Sequence, residues 1–454
     1  MRNKLAICLI IIVIIVAQVG LFAESISLEQ AREFALHNSR SLAKYNLAIQ
    51  SSLLNERSQL YSELPSLSMG LSASTSLWTK DGIPQDLMKN TFSAGASAGI
   101  SYRIWEGGKS SILRAINSLN TEISRQDALA EYYAVLSAVD SAYYAVMEAA
   151  AALEAAESSL ETANLSLSMA EIRHSSGMIS DAVYLQALSE KAARESSRIR
   201  SRGDLAMAKL RFKDLLGIDE VPDLEPLDLD SVEELISILS DLDDTDFDRL
   251  FVSFWKQVQT NNPSMVKAAM NNERSERNLN LTNRDYSPTL SASFSTGLNY
   301  TINNGLEPSG GRLSLSASIP IEFWKTANSV DKQKIAREQA SLDFLGAVGS
   351  LDMNLRTALL ELISQASQIV SSRPALEYSQ KSFEYVLELY RLSRNSLKEL
   401  YDAETLVRNS RDQLNRSQYA FLNGLSKIRS MGAFDSEEEI ISLICRKFLI
   451  MSPE

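Results

Sequence analysis

Few residues of this chain have the chemistry to carry a reaction. It holds two histidines, His37 and His174, far apart in sequence, and two cysteines, Cys8 and Cys445. A zinc site needs a cluster of such ligands, so this supply argues against a metal. The run "GGK" at 107–109 lacks the rest of the Walker spacing and is not a phosphate loop. No nucleophile, base and orienting group stand in a recognisable pattern, so there is no catalytic residue to nominate and no cofactor to hold; a hydrolytic enzyme fails on residue supply. Tyr132, Tyr133, Tyr143 and Tyr144 could form a ligand face, but at helical spacing coiled-coil packing explains them better.

The residue types that do suggest work are serine and glycine. Residues 66–78 read "SLSMGLSASTSLW": the even positions from Ser66 to Ser76 are Ser or Gly, while Leu67, Met69, Leu71, Ala73 and Leu77 lie between them. The pattern recurs in "TFSAGASAGISYRIW" (91–105), "TLSASFSTGLNY" (289–300) and "RLSLSASIPIEF" (312–323). Period-two alternation predicts amphipathic strands. Each segment is about the 9–11 residues of a tilted membrane strand. Turn residues at 79–90 and 301–311 join them into two hairpins. An apolar outer face with a polar inner face is the signature of a membrane barrel. Three tryptophans, Trp78, Trp105 and Trp324, fall at or just beyond strand ends, where interfacial aromatics belong. Their parity matches the serine face; either the register shifts at the strand ends or these rings cap the lumen rims.

Other features bound where the chain works. Arg2 and Lys4 precede the apolar run "LAICLIIIVIIVAQVG", and "LFA" follows, which predicts a secretory signal at 1–23 with cleavage after Ala23. Cys8 lies inside the apolar run and not at the cut, which argues against a lipid anchor. Losing Arg2 and Lys4 takes the net charge from −12 to −14. An acidic exported chain has no electrostatic reason to bind nucleic acid or anionic lipid. Cys445 is then the only cysteine left, so no intrachain disulfide can form. After residue 23 no apolar run reaches the roughly 20 residues of a spanning helix. The exported chain is therefore soluble or enters a membrane as strands.

Almost everything else reads helical. Long segments run from about Gly108 to His174 and from Asn328 to Leu392, the second broken at Pro374, with shorter helices over 27–63, 180–215, 246–285 and 396–430. Residues 218–246 turn acidic and proline-containing, like a connector. The two halves are one pattern used twice: short helix, hairpin, long helix, tight break, medium helix. "LHNSRSL" answers "QTNNPSM", with Asn38 and Asn262 as matching helix starts. The resulting boundaries are 24–64, 65–105, 106–217, 218–246, 247–286, 287–324, 325–432 and a tail at 433–454. The tail reads as an amphipathic piece packed outside.

With the Asn262-Pro263 helix start, strand starts after Pro65 and Pro288, "IWEGGK" leaving the first hairpin and "YRLSRNSLKELYDAE" at the second break, the chain resembles the outer-membrane efflux proteins, the TolC-type channels. The resemblance covers about Leu28 to Gly432. It implies a mainly α fold with a small β part: a homotrimer whose four strands per subunit close a twelve-stranded barrel in the outer-membrane lipid, above long antiparallel helices forming a periplasmic α-barrel. It implies an exit duct for efflux or type I secretion, joined to an inner-membrane pump through a periplasmic adaptor protein. The breaks at Gly177 and Ser393 become the periplasmic tips. Matching the second break to the family puts an acidic ring on Glu399 and Asp402, which are three apart and share a helix face. Tyr390 matches a tyrosine that helps hold the tip closed, and Asn395 stands where some members carry its partnering arginine. Gly177 suits a positive φ; Ser393, not being glycine, predicts a different second turn. His174, beside the first tip, is read as surface. The competing reading is a soluble periplasmic coiled-coil scaffold or adaptor, which has no need of four strands of membrane length.

Overall fold

The computed structural model describes residues 25–75, 92–227, 232–301 and 304–448. The expected signal segment, the expected first hairpin turn and Trp78 lie outside these residues. The chain divides into two compact units. One comprises Lys44–Ala128 and Ser264–Val348; the other comprises Met1–Ala43, Leu129–Pro263 and Gly349–Glu454.

The first unit carries the sheet. Helix α1 (Leu28–Asn38), which belongs to the second unit, is followed by α2 (Arg40–Ser62), so the predicted single helix over 27–63 is interrupted at Ser39. Strands β1 (Ser66–Ser74) and β2 (Ser93–Trp105) follow. In the second half, α7 (Pro263–Asn283) leads to β3 (Thr289–Thr301), β4 (Gly305–Pro308) and β5 (Arg312–Ser318). Strand β4 lies within the stretch expected to be pure turn. β5 ends five residues before the alternation does, because Pro320 has no N–H to give a ladder. All pairs are antiparallel: β1 with β2, β2 with β3, and β3 with both β4 and β5. Since β2 takes one edge of β3, β4 and β5 share the other and together fill one strand position.

The register keeps the two faces apart across the whole sheet. Leu67 sits opposite Ile100, Met69 opposite Ala98, Ile100 opposite Phe294, and Phe294 opposite Leu313. Between them run serine and glycine pairs. Ser66 and Ser101 hydroxyls lie 2.6 Å apart, Ser74 and Ser93 2.8 Å, and Ser291 and Ser316 2.8 Å. Leu67, Met69, Leu71, Leu313 and Leu315 are between 70% and 89% exposed. A soluble domain would bury such a face.

Trp105 does not stay on the serine face. The β2–β3 register shifts between Arg103 and Trp105, and Trp105 pairs with Leu290 on the apolar face. A bulge of this kind inserts one residue and re-aims the side chains beyond it. Of the two readings left open, the register shift holds for Trp105. Trp324 belongs to no strand; it lies in the first turn of the following helix and is exposed. Gly107 and Gly108 make the turn from β2 into the helix with φ of 66° and 80°. A Cβ on Gly107 would lie 2.3 Å from the Ser287 Cβ, so "EGGK" is a close crossing of two backbones.

The helical elements repeat with the sequence. Helix α3 (Lys109–Ser175) has 67 residues and returns through α4 (Asp181–Leu216) of 36; α8 (Phe323–Arg391) has 69 and returns through α9 (Leu397–Gly432) of 36. At 1.5 Å per residue the long members reach about 100 Å. Pro374 lies inside α8 without ending it, contrary to the expected break. Within α3, Ile123, Val135, Val139, Tyr143 and Val146 recur mostly at helical spacing and are buried.

The second unit also contains α5 (Glu233–Ser240), α6 (Asp244–Asn261) and the tail helix α10 (Glu437–Phe448). Ile26 pairs with Leu224, zipping the N-terminal segment to the connector. Tyr143 is fully buried, and its hydroxyl donates to the Glu225 carbonyl at 2.6 Å. Burial and the nearby Glu225 push its pKa up to about 12. Of the expected helix-start asparagines, Asn262 does stand directly before α7, which Pro263 opens, and both side chains have a further task. Asn38 is the last residue of α1, and the Ser39 hydroxyl, not Asn38, accepts the Leu42 N–H to cap α2. The Asn38 amide donates to the Leu216 carbonyl at 2.8 Å, and the Asn262 amide to Met431 at 2.9 Å. Each asparagine thus satisfies an orphan carbonyl at the end of the return helix of its own repeat. The tail is held by charge as well as by its buried Ile440 and Ile444. Asp140, fully buried in α3, receives Arg32 Nε at 2.6 Å, Arg429 Nη2 at 2.8 Å and the Ser426 hydroxyl at 2.5 Å. Glu437 of the tail takes the other guanidinium nitrogens.

Candidate functional site

The two tight breaks lie together in the second unit, at the ends of the α3–α4 and α8–α9 hairpins. They are built alike. At the first, the Met178 N–H donates to the Arg173 carbonyl (2.8 Å) and the Gly177 N–H to His174 (2.9 Å). At the second, the Arg394 N–H donates to Leu389 (2.8 Å) and the Ser393 N–H to Tyr390 (3.0 Å). Both are helix endings with one left-handed residue, Gly177 at φ 73° and Ser393 at φ 59°. The expectation of a different second turn is therefore corrected: Ser393 adopts the glycine geometry and carries the strain of a Cβ there.

This difference has a measurable consequence. A Cβ on Gly177 would meet no atom within 4 Å, so Gly177→Ala should lose only the left-handed penalty, about 1 kcal/mol. Ser393→Gly should stabilise by less than about 1 kcal/mol, because glycine's freedom in the unfolded chain offsets the relieved strain. Hydrogen exchange of the Met178 and Arg394 amides reads both changes. Effects of the same sign would refute the shared-turn geometry.

Between the tips lies an apolar cluster of Leu167, Ala170, Ala187, Tyr390, Leu397, Leu400 and Tyr401. It joins side chains from both repeats. The Ser166 and Tyr401 hydroxyls are 2.8 Å apart within it. Tyr390 is 3% exposed, and burial pushes its pKa up. The Arg173 guanidinium lies 4.6 Å from the centre of the Tyr390 ring and donates to the Tyr390 carbonyl at 2.5 Å. So the tyrosine does have an arginine partner, supplied by the other repeat. Asn395 is half-buried in the turn, and no bond from it to Tyr390 forms part of this arrangement. Sequence reasoning missed Arg173, whose only local mark is a cation in the last turn of α3. His174 accompanies it: its Nε2 lies 2.7 Å from Asp181 Oδ1, and its ring stacks on Tyr184 at 4.8 Å.

Glu399 and Asp402 are both exposed, on the side of α9 away from buried Leu397, Leu400 and Tyr401. Their environments differ. Ser396 and Glu399 form a reciprocal cap: the Glu399 N–H donates to the Ser396 hydroxyl oxygen (3.3 Å), and the Glu399 carboxylate accepts the Ser396 N–H (2.8 Å). That backbone bond, followed by the Ser396 hydroxyl, holds the Glu399 pKa below its ordinary 4.5. A depressed carboxylate stabilises the fold above its unfolded pKa. The contribution is lost as pH falls through the lowered folded value, so this helix start weakens only in acid. Glu399 is therefore partly committed to starting α9. Farther along the hairpins, Glu404 is buried and pairs with Arg194 at 2.9 Å and with the Ser159 hydroxyl.

Among the described residues no helix is long and apolar enough to cross a membrane. A model of the outer membrane efflux protein family matches residues 32–218 and 255–431, which takes in both copies of the duplicated pattern. The chain is 20% identical over 323 residues to the outer membrane protein TolC of Escherichia coli (strain K12), covering 67% of this chain and 62% of TolC. It thus spans less than two thirds of that relative's length. Among solved structures it is similar to CusC, with TM-score 0.74, 18% identity and coverage of 90% of this chain and 93% of that one. It is likewise similar to the Campylobacter jejuni CmeC outer membrane channel, with TM-score 0.73, 13% identity and coverage of 93% and 89%. At such identities the structures speak for the fold: long antiparallel helices with a small antiparallel sheet. By the extent of the family match, this chain belongs to the outer membrane efflux protein family.

Proposed function

We propose that the chain is one third of a trimeric outer-membrane exit duct serving a tripartite efflux or type I secretion system. The carrying observation is the sheet. It has four strand positions, one exposed apolar face and one serine-glycine face, and its two edges, β1 and β4/β5, have no partner among the described residues. Lipid does not tolerate an open sheet edge, so further copies must close it. Three copies of four strands give twelve, the barrel that the family resemblance implies. The serine-glycine face then lines water, and its small side chains leave the bore open.

In this reading the duct is passive. The helices lie in the periplasm, and the tips meet a periplasmic adaptor that couples them to an inner-membrane pump. Tyr390 with Arg173 fixes the two hairpins of one subunit to each other, while Glu399 and Asp402 of three subunits present six carboxylates at a narrow mouth. Such a ring favours cations. Because Glu399 is tied to Ser396, Asp402 carries more of the selectivity. In planar-bilayer recording, Asp402→Ala should lower the cation preference more than Glu399→Ala does. Unchanged selectivity in both variants would remove the ring from the account.

The broader test is membrane fractionation with unheated gel migration. An outer-membrane oligomer is expected. Recovery as a soluble periplasmic monomer would favour a scaffold and overturn the duct.

A further inference from the structure

Where β2 runs into α3, the first unit contains a cavity of about 440 Å³ between the end of α2, the end of β2 and the first turns of α3. Its lining combines two arginines, two glutamates and two aromatic rings: Arg103, Arg114, Glu63, Glu106, Tyr102 and Trp105. We propose that it binds the headgroup of a zwitterionic aminophospholipid, the phosphate on Arg114 and the ammonium on Glu63. This rests on the reading of the strands as membrane-spanning.

Three observations carry it. First is place. Tyr102 pairs with Ala292, and Trp105, turned by the bulge, pairs with Leu290, so both rings stand on the apolar face at the strand end. They are 43% and 48% exposed. Aromatic rings in that position lie at headgroup level. Second is charge. Arg103 is paired with Glu106, and Arg114 Nε lies 3.3 Å from Glu63 Oε1, so the cluster is neutral and offers both signs. A simple anion at Arg114 would also meet the Glu63 carboxylate; a ligand carrying both signs suits both groups. Third is an unmet acceptor. Glu63 Oε1 is enclosed and accepts no hydrogen bond, since its contact with Arg114 is too poorly aligned to be one. An enclosed carboxylate oxygen without a donor is costly, and a primary ammonium supplies the donor. A quaternary ammonium has no N–H and would not.

The test is native mass spectrometry of the full-length protein, extracted in detergent and offered phosphatidylethanolamine, phosphatidylcholine or phosphatidylglycerol. Phosphatidylethanolamine should be retained about tenfold better than either, the factor one charge-assisted hydrogen bond supplies. Glu63→Gln with Arg114→Gln should abolish the preference while the oligomer persists on an unheated gel. Should that pair fail to assemble, Arg103→Gln with Glu106→Gln tests the other half of the cavity. Equal retention of the three lipids, a preference for phosphatidylglycerol, or a preference that survives both double substitutions would overturn the site. Full competition by equimolar water-soluble phosphoethanolamine would overturn the lipid as occupant, because the acyl chains would then add nothing to binding. In each case an intact outer-membrane oligomer leaves the duct standing; its absence from the membrane is the separate failure of that reading.

Discussion

Asp140→Ala is expected to cost about 3–5 kcal/mol of stability, the loss typical of removing one partner from a buried ion pair. Asp140 is 0% exposed and receives three hydrogen bonds. Without it Arg32 and Arg429 stay enclosed with only Glu437 between them, two cations against one anion. Burial alone would lower the Arg32 pKa, but the hydrogen bond and charge of Asp140, with Glu437, hold it above its ordinary value. The guanidinium therefore stays charged and uncompensated in the variant. The network also ties α1, α3, α9 and the tail helix together, so the tail should release first. Asp140→Asn keeps an acceptor and should cost less. Thermal unfolding, with proteolysis of the tail as a local readout, checks this. A loss below about 1 kcal/mol would show the network to be incidental.

Leu71→Arg is expected to cost about 2–4 kcal/mol of barrel stability, the penalty for an arginine on a lipid face near the bilayer midplane. Leu71 is 89% exposed, so no contact within the described residues explains its side chain. Ser68→Arg places the same group on the opposite face, across from Gly99, and should be tolerated. The pair separates lipid from water on residues three apart in one strand. Oligomer yield in the outer-membrane fraction measures both. Equal tolerance of the two substitutions would mean that the apolar face does not meet lipid.

What was legible in the sequence followed from local physics. Period-two alternation reports on single strands, so the serine stripes gave both faces and three of the four strand starts to within a residue. The bulge at Arg103 and Trp105 was invisible, because a register shift is a property of two strands. The helical hairpins were readable because the pattern occurs twice. Gly177 announced its turn, but Ser393 makes the same turn with a residue that carries no left-handed signal. Pro374 was overvalued as a breaker, since packing along a 69-residue helix outweighs one missing N–H. Long-range partners were beyond reach: Arg173 meets Tyr390 across 217 positions, and Asp140 meets Arg429 across 289. The acidic pair was located by resemblance, while the capping role of Glu399 could have been read from Ser396 three residues before it.

Striped strands that span a membrane with serine toward water expose their two faces to different solvents. Nitroxide labels placed singly at each of residues 66–74 in the reconstituted protein read which solvent each residue meets. Collisions with oxygen should peak at 67, 69, 71 and 73, and collisions with a water-soluble nickel chelate at 66, 68, 70, 72 and 74. Uniform access to the nickel reagent along the strand would contradict this arrangement.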